Sequence, residues 1–177
     1  MSGPAAAPQR DSWPTLALRA IRARPFAFLL VLLALQTLPA LWSKDIWIVD
    51  ESRHAAALVQ MVDHGHWLVL QLGENPYPDK PPLYFWLAAL IALVSGSTAP
   101  PVFMAATAIS AAVLLWAILH TARVLGLGSA TGLIAGAILI ATPFFLSRVH
   151  MPRMDILFGA LILLSHVWLY RALDTDR

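Results

Sequence analysis

The 177-residue chain has no cysteine, which excludes disulfides and thiolate metal sites and leaves the redox compartment unread. It is also poor in charge. Asp, Glu, Lys and Arg together make up 12% of residues against 59% hydrophobic ones, and the mean hydropathy is +0.69. Such a balance is far from that of soluble domains and implies that lipid supplies much of the solvent. The net charge of +2 is small and scattered, so no basic run interleaved with aromatics offers a surface to nucleic acid. Glycine-rich phosphate loops, Walker motifs and Gly-x-Ser-x-Gly elbows are missing too, which argues against a nucleotide-driven pump or a serine hydrolase. No internal repeat stands out.

The charges that remain are unevenly placed: nine lie between Lys44 and Lys80, flanked by apolar stretches on both sides. Residues 1–15, rich in Ala, Pro, Ser and Gln, read as the disordered part of a cytoplasmic N-terminal tail of residues 1–24, where Arg10, Arg19, Arg22 and Arg24 precede the first apolar run. Pro25 to Ser43 is free of charge and reads as a span, with Trp42 and Trp47 at the interface. A signal peptide is the rival reading, but no small-residue cleavage site follows.

Between Lys80 and Arg123 the uncharged interval is broken at residues 95–101. Its first arm, Leu83 to Val94, would rise only about 18 Å as a helix and reads as re-entrant or interfacial. The second, Val102 to His120, would rise about 28 Å and reads as a span. Further spans are expected from Ser129 to Ser147 and from Ile156 to about Leu173, with Arg171 snorkelling. The expectation is an all-α polytopic membrane protein with about four transmembrane helices.

If the short arm does not cross, residues 42–82 and 148–155 share the outer side. The Lys and Arg count is then seven inside to five outside, against six to six if both arms cross. In the outer loop, Asp50 reads as an N-cap and Ala55, Leu58, Val59 and Val62 as the apolar face of a surface amphipathic helix stopped by Gly65. Residues 66–72 read as extended, 73–76 as a turn, and Pro81 and Pro82 as the opening of the next helix.

Asp50 and Glu51, adjacent carboxylates at a helix start, suit proton transfer or cation binding; equally, Asp50 is a plain cap and Glu51 a solvated acid. Lys80, in Asp79-Lys80-Pro81-Pro82, can meet a phosphate at headgroup depth or only snorkel. Arg148, His150, Arg153 and Asp155 form a second polar cluster, an anion site or structural glue between acid and arginine. His54, His64 and His66 lack metalloprotease spacing, His166 reads as a helix-packing residue, and Asp174-Thr175-Asp176 is a chance acid-x-acid match in a polar tail.

Taken together, residues 47–54 with the Asp50-Glu51 pair, residues 66–69, the Pro76 to Trp86 block with Lys80-Pro81-Pro82-Leu83-Tyr84, and Arg153-Met154-Asp155 resemble one family. It is the GT-C class of membrane glycosyltransferases, in the branch of the protein O-mannosyltransferases and lipid A aminoarabinose transferases. The resemblance runs from about residue 25 to 172. It implies an N-terminal portion of a longer catalytic domain, residues 25–177, with an outer catalytic loop at 42–82 at the bacterial inner membrane. It further implies Asp50 as the principal acid/base, Glu51 as its neighbour, Asp155 as a second essential acid and Lys80 as a donor-phosphate contact. Arg148 and Arg153 would offset charge on the leaving phosphate. The implied donor is a polyprenyl-phosphate-linked sugar and the acceptor a protein, lipid A or another glycan. Asp79 stands where the family commonly has Glu and His150 where it often has Arg, which leaves a divalent metal and the supporting roles of both residues open. From another class, the competing reading is a non-catalytic membrane subunit or a small transporter.

Overall fold

The computed structural model describes residues 13–39, 41, 45 and 49–174. Trp42, Trp47, residues 1–12 of the expected tail and the Thr175-Asp176 end of the acid-x-acid match lie outside the described residues. The described chain is almost wholly helical: α1 (Trp13–Ala23), α2 (Pro25–Thr37), α3 (Val49–His64), α4 (Leu83–Ser95), α5 (Pro100–Val124), α6 (Gly128–Ala141), α7 (Pro143–Val149) and α8 (Asp155–Asp174). Its only regular strands among these residues, β1 (Gln71–Leu72) and β2 (Asn75–Pro76), form a small antiparallel hairpin. Gly73 turns that hairpin with φ at 64°, a value glycine adopts without strain.

Among the described residues, two helices, α5 and α8, are long and apolar enough to cross a membrane; counting α6 and α7 as one broken span makes three. The expected first span is represented by α2, only 13 residues long, and its predicted end falls on residues that are not described. Instead of a featureless stretch up to residue 15, α1 begins at Trp13 and presents Trp13, Leu16 and Leu18 outward.

The expected continuous helix from Ser129 to Ser147 is broken, with α6 and α7 meeting at 72°. Pro143 has no N–H to continue the ladder and pushes the preceding Thr142 into extended backbone, φ −74° and ψ 134°. Thr142 repairs both sides of the break: its hydroxyl donates to Leu139 O at 2.8 Å and accepts from Phe145 N at 3.4 Å.

Two apolar clusters hold the elements together. One joins α3, α4 and the start of α5 through Leu58, Met61, Phe85, Ala88 and Phe103. The other joins α2 to α5, α6, α7 and α8 through Leu29, Leu115, Ile140, Phe145 and Ile156. On α6, a Cβ at Gly132 would lie 3.0 Å from Ala122 Cβ and 3.3 Å from Leu119 Cα, and one at Gly136 would press on Leu29. These two glycines let α5 and α2 approach closely, as small residues four apart do in membrane helices.

Tyr84, at the start of α4, meets Phe103 and Thr107 in the first two turns of α5, while the other end of α4 joins α5 through the Gly96 turn. Both ends of this short helix therefore stay at one end of the bundle.

Candidate active site at the starts of α3 and α8

α3 begins at Val49, two residues before the expected first helical position, so Asp50 sits in its first turn instead of capping it. The helix also turns a different face inward. Residues Glu51, His54, Ala57, Leu58 and Met61 are buried, a stripe rotated from the expected Ala55, Leu58, Val59 and Val62. The physical reason is packing: α3 lies on α4 and the β1 segment, so its inner stripe serves a protein core. The stripe accordingly includes two polar residues, Glu51 at 0% and His54 at 3% exposure. Glu51 is thus no solvated acid.

Asp50 projects the other way, half exposed, and meets the loop that precedes α8. Arg153 Nη2 donates to Asp50 Oδ2 at 3.0 Å across 103 residues of sequence. Arg153 also stands 3.9 Å from Asp155 Oδ2, so one guanidinium lies between the two predicted acids. Arg53 approaches the other oxygen of Asp50 at 3.9 Å, but both side chains are about half exposed and this pair contributes little.

Three buried side chains fix the loop carrying Arg153. Thr107 donates to Met151 O at 3.1 Å and is joined to Tyr84 Oη at 2.9 Å. His54 Nδ1 lies 2.7 Å from Pro152 O, a contact that requires the hydrogen on Nδ1. Burial pushes the His54 pKa below its ordinary 6.5; the Pro152 bond opposes this, and the nearby cations Lys80 and Arg153 reinforce it. The influence of Lys80 places that half-buried lysine in the same electrostatic neighbourhood, while Asp79 is exposed beside it.

Arg148 and His150 take other positions. Arg148 lies over the Phe144 ring, 4.9 Å from its centroid, and lines with Asp155 a cavity of about 130 Å³ whose other walls are apolar. His150 bridges the start of the loop to α2, with Nε2 at 2.9 Å from Gln36 O and Nδ1 at 2.7 Å from Leu146 O. Both its ring nitrogens lie within hydrogen-bond distance of backbone carbonyls, which suits support. Among the described residues no three His, Asp or Glu side chains gather as a ligand set, and the space between Asp50 and Asp155 is taken by Arg153.

Some readings shift. His166 is exposed and bonded to its own helix at Ile162 O, 2.7 Å, and so packs against no other helix among the described residues. His64 and His66 stack on each other with centroids 6.3 Å apart. His54 was legible only as a weak metal candidate, although it lies on the same helical face as Glu51. Thr107 carried no signal in its uncharged span.

The model of the dolichyl-phosphate-mannose-protein mannosyltransferase family matches residues 79–177, more than half of the chain. The chain belongs to this family. The matched stretch contains Lys80, Arg148, Arg153 and Asp155, and Asp50 and Glu51 precede it. Three relatives of this mannosyltransferase-family chain are undecaprenyl phosphate-alpha-4-amino-4-deoxy-L-arabinose arabinosyl transferases. That of Pseudomonas savastanoi pv. phaseolicola is 36% identical over 42% of this chain and 14% of its own length. That of Shewanella sediminis is 35% identical over 30% of this chain and 10% of its own. That of Pectobacterium carotovorum subsp. carotovorum is 34% identical over 50% of this chain and 16% of its own. The chain therefore spans a small part of the length of the curated relatives it matches. No solved structure matches it.

Proposed function

We propose that this family member forms the N-terminal part of a membrane glycosyltransferase that moves a sugar from a polyprenyl-phosphate carrier to a protein, lipid A or glycan acceptor. The observation that carries the reading is the 3.0 Å meeting of Asp50 with Arg153 beside Asp155, a cluster of acids and cations at one end of an apolar bundle. An acceptor hydroxyl or amine attacks the anomeric carbon in line, the sugar–phosphate bond breaks, and the carbon inverts. Asp50 takes the nucleophile's proton, held in orientation by Arg153; its second oxygen has only the long contact from Arg53. Lys80, with Arg148 on the Asp155 side, offsets charge growing on the departing polyprenyl phosphate. Asp155 orients Arg153 between the two acids, and the buried Glu51 acts as a positioning residue beneath Asp50. Asp79 and His150 support the two segments from outside this cluster.

The site faces the outer side of the inner membrane in this reading. What supports it is the length of α4: 13 residues do not cross, so the α3 segment and the Arg153 loop share one side, and the Lys and Arg count of seven inside to five outside leans the same way. The test is a transfer assay with polyprenyl-phosphate sugar on the longest reading frame containing the chain. Asp50→Asn and Lys80→Ala each abolish transfer while expression is kept. Normal transfer by both variants removes the catalytic assignment.

A further inference from the structure

At the end of the bundle remote from Asp50, α5 and α8 stop side by side. The two helices are parallel: Thr107 near the start of α5 holds Met151 O just before α8 begins, and their last turns share a cavity. From Asp155 to Arg171 is about 24 Å of helix, so this cavity lies most of a hydrocarbon thickness away from the candidate active site.

The cavity holds about 460 Å³ and is lined by His120, Arg123, Val124, Tyr170, Arg171 and Asp174. Two arginines and one aspartate are among its lining residues. Arg123 makes no ion pair among the described residues. The His120 ring is stacked on Trp116 at 5.2 Å and 10°, which fixes its plane, and its Nε2 atom is buried without a hydrogen-bond partner among the described residues. Arginines near helix C-termini are what the macrodipole alone selects. That explanation leaves out the hollow itself and the imidazole edge that has nothing to bond. A buried polar atom without a partner costs about 1–3 kcal/mol, so a ligand that supplies one is favoured. Arg123 also borders a second hollow of about 260 Å³ with Pro25 and Ser129, at the end of the bundle where α1 brings Arg22.

We propose that this cavity is a binding site for a phosphate group, held by Arg123 and Arg171 as charged donors and by the partnerless Nε2 edge of His120. Its volume falls within the roughly 300–1,000 Å³ of small-molecule sites and exceeds what one anion fills, which suits a phosphodiester with its headgroup. Basic pockets between membrane helices bind anionic headgroups by this chemistry. The inference goes beyond the transferase reading and does not depend on it.

The test uses the full chain in nanodiscs of phosphatidylcholine, alone or doped with phosphatidylglycerol, with bound lipid read by native mass spectrometry. A separate arm titrates inorganic phosphate into the undoped discs. Phosphatidylglycerol is retained over phosphatidylcholine, and Arg123→Gln or Arg171→Gln lowers retention at least about tenfold. His120→Phe weakens it less, Arg123→Lys restores part of it, and Arg22→Gln, on the surface of α1, leaves it unchanged. Saturable binding of inorganic phosphate that these same variants weaken supports the site with free phosphate as its source. The Lys variant and unchanged helical circular dichroism separate lost binding from lost folding. Equal retention by all variants, or an Arg22→Gln loss as large as that of Arg123→Gln, overturns the proposal.

Discussion

The meeting of Asp50 and Arg153 is open to a double-mutant cycle that needs no knowledge of the substrate. At 3.0 Å and an effective dielectric of about 20, two unit charges attract by roughly 5.5 kcal/mol before any solvation cost. Asp50 is 50% exposed and Arg153 25%, so water reclaims much of that gain on separation. Surface pairs measure about 0.2–1 kcal/mol and hydrogen bonds to charged groups about 1.5–3, which brackets this pair at about 1 kcal/mol. Asp50→Ala, Arg153→Ala and the double variant are unfolded reversibly in mixed micelles, followed by tryptophan fluorescence. The expected coupling is about 1 kcal/mol, and the parallel cycle of Asp50 with Arg53, a longer and more exposed contact, gives well under half of that. A coupling for Asp50 and Arg153 below about 0.3 kcal/mol, the ordinary error of additivity, refutes the convergence on which the site rests.

Stability also depends on pH through His54. Its folded pKa lies below the unfolded 6.5, so its contribution is intact above that value and is lost as pH falls from 6.5 through the lowered one; His54→Gln flattens this limb of a denaturation-versus-pH profile. Thr107→Val removes the donor to Met151 O and strands that carbonyl, while Tyr84 Oη keeps only its 3.4 Å bond to Phe103 O; unfolding free energy falls by about 1–3 kcal/mol, whereas Thr107→Ser keeps most of it. Gly132→Ala drives a methyl against Ala122 and the Leu119 backbone and costs about 1–3 kcal/mol. Gly159→Ala, with open space around its Cβ, is neutral or gains up to about 1 kcal/mol, both variants being read by thermal unfolding.

Much of this arrangement was legible because charge is scarce. In a chain where lipid is the solvent, the few charged clusters mark where chemistry can lie, and a short arm that does not cross puts residues 42–82 and 148–155 on one side. Arg153 against Asp50 is that meeting realised. The length of the short apolar arm was equally informative, since 13 residues of α4 leave it unable to traverse the bundle. Hydropathy misled where it counts residues without their backbone. Ser129 to Ser147 has the composition of a span, yet Pro143 inside it forces a 72° bend. Periodicity misled on α3 because apolar spacing alone cannot announce a buried glutamate and histidine. The inner stripe of α3 follows from what α4 presents to it, a tertiary fact.

The bend and the loop after it follow one physical requirement. Backbone that leaves a helix among apolar elements must have its carbonyls satisfied by protein. At Thr142 a side chain within the break does this locally, through Leu139 O. At Met151 and Pro152 the acceptors are met from α5 and α3, through Thr107 and His54. The second solution is the more consequential, because side chains from distant helices determine where the loop stands and so where Arg153 points. Thr107 comes from a span and His54 from the same helix as Asp50, so the residue that orients the loop and the acid the loop meets move as one body. The geometry of the acid–cation cluster is therefore set by buried, uncharged hydrogen bonds beneath it. The charged contact above, half exposed and worth about 1 kcal/mol, reports that geometry more than it creates it.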